Sequence, residues 1–450
     1  MTPPKPVPRP DKVSLWRYVR LFRRDILSAQ PARLYRAWMA EFRTPFFQSY
    51  LVNQPDLVRQ VLNQRPEDFP KSDRIGEGLR PLLGNAVFLT NGDTWARQRR
   101  IIDPAFEKGR LRDTFPSILA AGQTSVDRLR SGPGVIDIEP EASHAAADVI
   151  FRTLFSVPID DHAAAQVFRE FRIYQQSQPI LNLAAFIPLP RWMPRMRRGD
   201  TRNSARAIRQ LIREMTQRRM ADIQAGLAPD DLATKIMTTP DPQTDQCFQP
   251  DEMADQVAIF FLAGHETSAA ALGWALYLLA SHPDIQARAA IEAADFASAP
   301  TFANLSRLRL IRDVFRESLR LYPPVPMMVR ETTRPEQFRD RQIAKGAQIV
   351  ISPWHVHRHE RLWNEPDAFD PDRFDTEAGR ASMRDAYMPF SSGKRVCPGA
   401  GMAMVEGPVL LALILADFVL EPVVNRTPIP VAYLTVRSKN GIWLELKRRR

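Results

Sequence analysis

An uninterrupted helical pattern runs from residue 251 to residue 282, just past the middle of the 450-residue chain. At 1.5 Å per residue, a helix of this span is about 48 Å long. Apolar residues occupy nearly every face of it, as is typical of a helix that is buried on all sides. The pattern therefore predicts one long central helix that crosses a large core.

The most apolar part of this helix, residues 257–280, is long enough to be tested as a membrane span. Its centre carries His265, Glu266 and Thr267, and a central carboxylate costs about 2.5–3.5 kcal/mol on insertion. We therefore interpret it as a core helix and expect no transmembrane anchor. Residues 13–27 mix apolar side chains with four arginines, so they could touch a membrane surface without spanning the bilayer.

The rest of the chain predicts a mainly α protein with a minor β region. Helical patterns lie at 55–63, 93–102, 160–178 and 200–225, and strand patterns lie at 46–52, 344–351 and 428–445. Length alone would allow three domains of about 150 residues. No linker or repeat divides the chain, because its 39 prolines are scattered. We expect a proline-rich basic segment at 1–30 and one domain at 31–450.

Charge and cysteine content restrict the setting. The net charge is +11, but lysines and arginines are spread along the chain and no nucleic-acid motif is present. An acidic protein partner, an anionic membrane surface or a solvated basic surface explains this charge better than nucleic acid. Two cysteines, Cys247 and Cys397, cannot form a disulfide framework. The start of the chain also lacks the apolar stretch of a secretory signal. We expect a cytoplasmic protein.

The sequence FSSGKRVCPG places Cys397 in a loop rich in glycine and proline. Arg395 precedes the cysteine by two residues, and a helical pattern begins directly after the loop. Positive charge and a helix N-terminus both favour the thiolate form, and a thiolate suits haem iron. The alternative is an ordinary buried cysteine beside a turn.

The pattern F-x-x-G-x-R-x-C-x-G resembles the haem-binding loop of the cytochrome P-450 family. It matches at Phe390, Gly393, Arg395, Cys397 and Gly399. The resemblance implies a single haem-thiolate fold with a long central helix, haem b as cofactor, and Cys397 as the iron ligand. Phe390, Arg395 and Gly399 would help to bind the cofactor. The implied activity is that of a soluble monooxygenase, which inserts one atom of dioxygen into a lipophilic molecule by hydroxylation or epoxidation.

The central helix contains AGHETS, which resembles the family's A/G-G-x-D/E-T signature. The resemblance implies that Glu266 and Thr267 shape the oxygen pocket and deliver protons. Ala263 and Gly264 would border this pocket, with Gly264 leaving room for a flat cofactor or a small gas molecule. In the alternative interpretation, Thr267 bonds back to its own helix and Glu266 caps a solvent channel. We expect His265 to be directed away from the haem.

Two groups of charged residues also match family motifs. In RESLR, the three-residue spacing puts Glu317 and Arg320 on one helix face. The family joins such a pair to an arginine of a later P-x-R-F segment, here PDRF, which implies a buried network of Glu317, Arg320 and Arg373. Trp95 and Arg99 match the family's W-x-x-x-R, whose side chains contact a haem propionate.

The resemblance would complete the propionate clamp with Arg395 and Arg330. For these arginines, the alternative is a solvated basic helix face.

WHVHRHER holds His355, His357 and His359 in alternation. On a strand they would share a face, as in a zinc or copper site. We favour a structural role, because the segment resembles the family's stretch that leads into P-x-R-F.

Substrate and electron partners are implied only by class. Residues 72–89, the apolar segment 179–199, Met327 and Met328 occupy places where the family contacts substrate. The chain carries neither an iron–sulfur cysteine cluster nor a flavin or nicotinamide domain, so we expect electrons from an acidic ferredoxin with its NAD(P)H-dependent reductase. The basic residues Arg97, Arg100 and Lys394 would form its docking patch. The alternatives are a peroxide-driven oxygenase on the same fold and a non-catalytic haem-based sensor.

Overall fold

The computed structural model describes residues 2–43, 48–177 and 199–449. Helices dominate, as the sequence predicts. In chain order they are α1 Leu15–Arg24, α2 Pro55–Arg59, α3 Asp73–Leu83, α4 Gly92–Ile102, α5 Lys108–Ser131, α6 Ile138–Phe155, α7 His162–Ser177, α8 Gly199–Gln224, α9 Leu232–Thr238, α10 Pro250–Ala280, α11 Pro283–Ser298, α12 Arg309–Leu321, α13 Pro353–Val356, α14 Glu377–Ala386 and α15 Ala400–Asp417.

The central helix, α10, confirms the predicted long helix and differs from the predicted bounds by one or two residues. Gln249 caps its start, and Glu252 accepts the Gln249 amide at 2.9 Å, which completes a capping box. Pro250 stands at the first helical position, where its missing N–H costs no hydrogen bond. The helix is about 46 Å long and packs most extensively on α6, with α8, α12 and α15 around it.

Strands form four small sheets within the described ranges. They are β1 Met39–Arg43, β2 Gln48–Val52, β3 Val135–Asp137, β4 Met328–Glu331, β5 Glu336–Phe338, β6 Arg341–Ile343, β7 Gln348–Ile351, β8 Phe418–Pro422, β9 Pro430–Ala432, β10 Val436–Ser438 and β11 Trp443–Arg448.

The four-stranded sheet has the order β1-β2-β7-β4, in which β2 and β7 run parallel and the other pairs run antiparallel. The three-stranded sheet has the order β3-β11-β8, and β9–β10 and β5–β6 are two-stranded ladders. The strand predicted at 344–351 begins later, at Gln348, because Gly346 turns the chain at a φ of 78°. The region at 428–445 contains β9, β10 and the start of β11.

The start of the chain packs onto the helical body as an extended strap. Pro3, Pro6 and Arg9 are buried while the residues between them are more exposed, and this three-residue period is that of a polyproline II helix. The hydroxyl of buried Tyr322 donates to the Pro4 carbonyl at 2.8 Å. The boundary between 1–30 and 31–450 stays a prediction.

Within the described ranges, α15 is the one helix whose length and composition would suffice to cross a membrane. Most of its residues are buried, and it packs on α5, α11, α12 and the central helix. A core helix of this kind passes the same test of length and composition, so the finding assigns no membrane segment.

Candidate functional site

The loop before α15 is a tight, internally bonded turn. The Cys397 amide donates to the Phe390 carbonyl at 3.0 Å and closes the loop. Gly393 has a φ of 69°, and a Cβ there would lie 2.2 Å from the Leu62 carbonyl oxygen. Only glycine fits such a backbone approach. The family motif's first glycine therefore allows the loop to pack against the turn that follows α2.

The sulfur of Cys397 lies at the N-terminus of α15, and Cys397 is an exposed residue. Crowding by protein atoms raises the pKa of the thiol through desolvation, while the amides of Gly399 and Ala400 and the charge of Arg99 lower it. Desolvation outweighs the other three effects. Positive charge and the helix N-terminus thus favour the thiolate, as the sequence predicted, and a bound cation such as iron would offset the desolvation and hold the sulfur ionised.

Trp95 and Arg99 of α4 lie beside this loop, as their spacing implied. Arg99 donates from Nη1 to the Val396 carbonyl at 2.8 Å, and its Nε lies 2.7 Å from Asp103 Oδ1. Arg395 donates to the Pro66 carbonyl at 2.6 Å and contacts a carboxylate, that of Glu67, at 3.3 Å. The ring of buried Trp95 has three cations within 6 Å of its centroid: Arg395 at 5.2 Å, Arg99 at 5.8 Å and Lys71 at 5.9 Å.

Two cations of this cluster, Arg330 and Lys71, have no carboxylate partner in the described part of the chain. Arg330 on β4 is buried, and its guanidinium donates only to the Val329 carbonyl, at 3.3 Å, leaving Nε unpartnered. Burial and the charge of Arg395 lower its pKa to about 10. Lys71 donates to the Val87 carbonyl at 2.7 Å. Burial and the nearby arginines lower the pKa of Lys71 to about 6.

These neighbouring cations, with an unpartnered Nε on Arg330, need an anion, because burying like charges together is costly. The two propionates of a haem would supply two negative charges, so the residues present fit that group. Lys71, Arg99, Arg330 and Arg395 would hold the propionates, as the resemblance implied for three of them. Sequence reasoning missed Lys71. Lys71 belongs to no motif. Its backbone forms a bridge to Arg330, and this pairing is visible only in the folded chain.

The central helix carries the candidate oxygen pocket. Ala263 is exposed although its flanking residues on the helix are largely buried, and the Thr267 hydroxyl donates to the Ala263 carbonyl. A Cβ on Gly264 would lie 2.3 Å from Cδ1 of Ile150, so this glycine lets α6 pack closely against the central helix. That Gly264 also leaves room for the cofactor or a small gas molecule stays a prediction.

Glu266 is buried and held by the C-terminal ladder. Its Oε1 accepts from Thr435 Oγ1 at 2.8 Å and from Arg437 Nη2 at 2.6 Å. Arg437 is 34 % exposed, so the carboxylate is connected to solvent through this side chain. His265, its neighbour, contacts Ser143 Oγ at 2.7 Å and is directed toward α6. Burial and nearby arginines lower the pKa of His265 to about 3.

A second buried acid lies next to the same helix turn and was not anticipated. Ser268 donates to Glu406 Oε2 at 3.0 Å, which joins the central helix to α15. Glu406 is 2 % exposed, and its Oε1 has no partner among the described residues. Burial raises the pKa of Glu406 to about 8. A glutamate nine residues after the cysteine gave no signal of its own in the sequence.

The predicted network of Glu317, Arg320 and Arg373 forms as its motifs implied. Arg320 Nε and Nη2 each donate to Glu317 at 2.7 Å, and Arg373 Nε donates to Glu317 Oε1 at 2.9 Å. Glu317 and Arg320 are fully buried, and Arg373 is 6 % exposed. The remaining guanidinium donors bond to backbone carbonyls of residues 357–368. The network therefore fixes the long loop that follows α13.

The three alternating histidines lie on and after the short helix α13, not on a strand. His355 contacts Ser352, His359 accepts from the Arg361 amide and stacks on Trp38, and His357 lies between Arg320 and Met388. No group of three or more metal-ligating side chains forms within the described ranges. Each ring thus has its own protein partners.

The expected ferredoxin patch is not a set of free cations. Arg97 pairs with Glu252 at 2.8 Å, Arg100 with Asp241 at 2.5 Å and Lys394 with Glu67 at 3.0 Å. These acids neutralise the charges that the sequence suggested would face a partner. For the substrate side, residues 72–89 contain α3, and Met328 begins β4. Most of the segment 179–199 lies outside the described residues, and the substrate contacts stay predictions.

The comparisons with known proteins agree with one another. The family model described as Cytochrome P450 matches residues 39–444. Cyclooctat-9-en-7-ol 5-monooxygenase of Streptomyces melanosporofaciens is 31% identical over 422 residues, which cover 92% of this chain and 88% of that protein. Cytochrome P450 4A11 of Homo sapiens is 30% identical over 420 residues, covering 88% and 78%.

The fold comparison agrees as well. The crystal structure of the cytochrome P450DA haem domain superposes with a TM-score of 0.83 at 23% identity, covering 100% of this chain and 98% of that one. The family match spans nine-tenths of the sequence, including the loop of Cys397 and the acid–alcohol pair of the central helix. The chain therefore belongs to the cytochrome P450 family and is a haem-thiolate monooxygenase.

Proposed function

We propose that this monooxygenase hydroxylates or epoxidises a lipophilic molecule, with haem b as its cofactor and Cys397 as the iron ligand. The observation that carries the proposal is the combination of the Cys397 loop with Glu266 and Thr267 on the central helix. Among the relatives, cyclooctat-9-en-7-ol 5-monooxygenase bears the name of a cyclic alkenol, which is a molecule of the proposed class. Bound haem supplies the iron that binds dioxygen and its redox chemistry.

The protein's part on the cysteine side is electrostatic. The amides of Gly399 and Ala400 point at the sulfur of Cys397, and Arg99 adds positive charge. All three favour the anionic ligand once iron offsets the desolvation of the sulfur. Arg99 also holds the loop in place through the Val396 carbonyl. The same side chain thus positions the ligand and contributes to the propionate site.

On the opposite side, the protein's part is proton transfer. Glu266 takes a proton from water that enters beside the partly exposed Arg437, whose guanidinium cannot itself release one, while Thr435 holds the carboxyl group in place. The Glu266 carboxyl then rotates toward Thr267, the next residue of the helix, and passes its proton to the Thr267 hydroxyl. The hydroxyl releases the Ala263 carbonyl and delivers its own proton into the pocket. A buried carboxylate and hydroxyl in sequence can carry protons while bulk water stays excluded.

The experiment is a substrate screen followed by turnover. Fatty acids, terpenoids, steroids and aromatic acids are tested for a spin-state shift in the haem spectrum, and each positive is incubated with NADH, a ferredoxin and its reductase. We expect a product that carries one added oxygen. In Thr267→Val, product per NADH should fall about ten-fold or more, whereas Thr267→Ser should retain it. Turnover with hydrogen peroxide but none with NADH would contradict the proposal and favour the peroxide-driven alternative.

For the electron source we propose an acidic ferredoxin with an NAD(P)H-dependent reductase, in the cytoplasm. The net charge of +11 supports an acidic partner. Because Arg97, Arg100 and Lys394 are paired, the docking charge is better sought at Arg112, which is exposed and has no acidic partner among the described residues. Its neighbour Leu111 lies against Gly401, four residues after Cys397, so Arg112 belongs to the cysteine face.

This electron-transfer proposal has a direct test. The reduction rate should fall as ionic strength rises, because salt screens docking charges. Arg112→Glu should slow reduction by ferredoxin about five-fold or more at low salt. Arg206→Glu, an exposed arginine on α8, is the matched control and should leave the rate unchanged. A rate that is flat with ionic strength would remove the acidic ferredoxin from the account.

A further inference from the structure

Helix α1 presents an unusual face to solvent. Trp16 is 79 % exposed. The four arginines of the helix are also exposed: Arg17, Arg20, Arg23 and Arg24. At 100° per residue, these five side chains fall within an arc of about 120°. None of the four guanidinium groups pairs with a carboxylate in the part of the chain that the structure describes. The helix thus carries one continuous strip of unneutralised positive charge with an aromatic ring in it.

The opposite face fixes α1 to the protein. Phe22 is buried in the main core, and Tyr18 packs against the same core with Arg9 of the strap 5.5 Å from its ring. Asp25, the acid nearest the strip in sequence, is 3 % exposed and already accepts the amides of Leu27 and Ala432. The charged strip is therefore neither needed for packing nor neutralised by its neighbours.

Further exposed apolar side chains lie in the segments that contact α1. Val7, two residues before Arg9 in the strap, is 84 % exposed. Ala432 exchanges hydrogen bonds with Asp25 and with Ile26, directly after α1, and its neighbour Tyr433 is 38 % exposed. A basic strip that contains an exposed tryptophan, on a helix whose contacting segments carry further exposed apolar side chains, has the composition of a surface that enters the headgroup region of a bilayer.

We propose that the strip of α1, formed by Trp16, Arg17, Arg20, Arg23 and Arg24, docks the protein on an anionic membrane surface. Arginines attract acidic headgroups, and the indole of Trp16 enters the interface between headgroups and acyl chains. An acidic protein would satisfy the arginines but leaves the exposed Trp16 and Val7 unexplained. The described contacts of the Cys397 loop come from the α2 region, α4 and α5, so the proposed electron-transfer face is built from elements other than α1.

The strip of α1 is linked to the candidate oxygen pocket through the β9–β10 ladder. The β9–β10 ladder that bonds to the end of α1 through Ala432 also carries Thr435 and Arg437, which hold Glu266. A membrane at α1 would therefore lie beside a segment that contacts the proton-delivering acid. The proposal does not depend on the proposed substrate class or electron donor, and it can fail while they stand.

The test is flotation of the haem-loaded protein with vesicles. Vesicles of phosphatidylcholine alone are compared with vesicles of phosphatidylcholine mixed with phosphatidylglycerol. Binding should require the anionic lipid and should fall as salt rises. Replacing all four arginines of α1 by glutamine should weaken binding about six-hundred-fold at low salt, since each contributes about five-fold. Replacing them by lysine should retain most of it, and Trp16→Ala should weaken binding several-fold.

The matched control removes the same charge elsewhere. Arg206, Arg218, Arg380 and Arg384 are exposed on α8 and α14, and their joint change to glutamine should leave vesicle binding within about two-fold of the unmodified chain. An unchanged thermal midpoint and haem spectrum show that each variant is folded. Equal binding to both vesicle types would overturn the proposal, and so would equal weakening by the control set. If the glutamine variant lost affinity for ferredoxin and the natural chain bound no vesicles, the proposal would be overturned in favour of an acidic protein partner.

Discussion

The amide of Met388 donates a 2.9 Å hydrogen bond to Nε2 of His357. Since Nε2 accepts, the proton of the neutral ring is on Nδ1, which donates to the Arg320 carbonyl at 3.2 Å. Burial lowers the pKa of His357 to about 3, which keeps the ring neutral. The buried network of Glu317, Arg320 and Arg373 is thereby connected to the segment that enters the cysteine loop at Phe390.

Replacing His357 by phenylalanine should loosen that loop. The Met388 amide and the Arg320 carbonyl are buried, and leaving them unpaired should lower the free energy of unfolding by about 2–4 kcal/mol. His357→Gln, which retains a donor and an acceptor, should recover part of the loss. Urea unfolding and the haem content of purified protein measure both effects. Full haem content and unchanged stability in His357→Phe would contradict the connection.

Glu317→Ala and Arg320→Ala should each yield little haem-loaded protein. Each change leaves a buried charge without its partner, which costs about 3–5 kcal/mol. Arg309→Ala is a control on the same helix, because Arg309 is exposed, and it should bind haem normally. The measurement is the ratio of haem to protein after purification. Stoichiometric haem in either network variant would refute the structural role assigned to the network.

Lys71→Met and Arg330→Met should have opposite effects on haem-free and haem-loaded protein. Without the propionates, removing a desolvated cation should leave stability unchanged or raise it. With haem bound, loss of a charge-assisted hydrogen bond should speed haem release about ten-fold or more. Lys345→Met, an exposed lysine, is the control. Transfer of haem to a scavenger protein measures release, and an unchanged rate in both variants would remove them from the propionate site.

Lys71 also gives the haem-free protein a pH dependence. Its pKa is lowered from 10.5 to about 6, so between these values the unfolded chain binds more protons than the folded one. The free energy of unfolding should therefore rise with pH across this window. In Lys71→Met, the rise should be smaller. Urea titrations at a series of pH values check the sign, and an unchanged slope in the variant would contradict the assignment.

Glu406 should act in the opposite direction. Its pKa is raised from 4.5 to about 8, so the folded protein prefers the neutral acid. The stabilisation is complete below the unfolded pKa and is lost as pH rises through about 8, at most about 5 kcal/mol. Glu406→Gln keeps an acceptor for Ser268 and should flatten the decline between pH 5 and pH 8. A variant that declines as steeply as the natural chain would show that Glu406 is ionised in the fold.

The spacing of residues in the sequence predicts the contacts that the geometry of a single helix determines. A three-residue spacing on a helix puts Glu317 beside Arg320 whatever surrounds them, and the long apolar pattern alone defines the central helix. The packing role of Gly264 could not be predicted, because the face that a helical glycine presents depends on the neighbouring helix, here α6 through Ile150. Periodicity along one chain cannot identify that neighbour.

Charge pairing is the other part that sequence could not predict. Arg97, Arg100 and Lys394 resemble free cations in the sequence, but their acidic partners lie 155, 141 and 327 residues away along the chain. Lys71 was missed for the same reason, since its backbone bridge to Arg330 and its position 5.9 Å from the Trp95 ring bring it into the propionate cluster. Such contacts arise from tertiary packing and leave no pattern in the sequence.

The most direct test of the central claim is the carbon monoxide spectrum of the reduced protein, recorded for the natural chain and for Cys397→His. The natural chain should give the spectrum of a thiolate-ligated haem, and the variant should give a histidine-type spectrum and form no oxygenated product. A histidine-type spectrum from the natural chain, or undiminished oxygenation by Cys397→Ala, would contradict the assignment of Cys397 as the iron ligand.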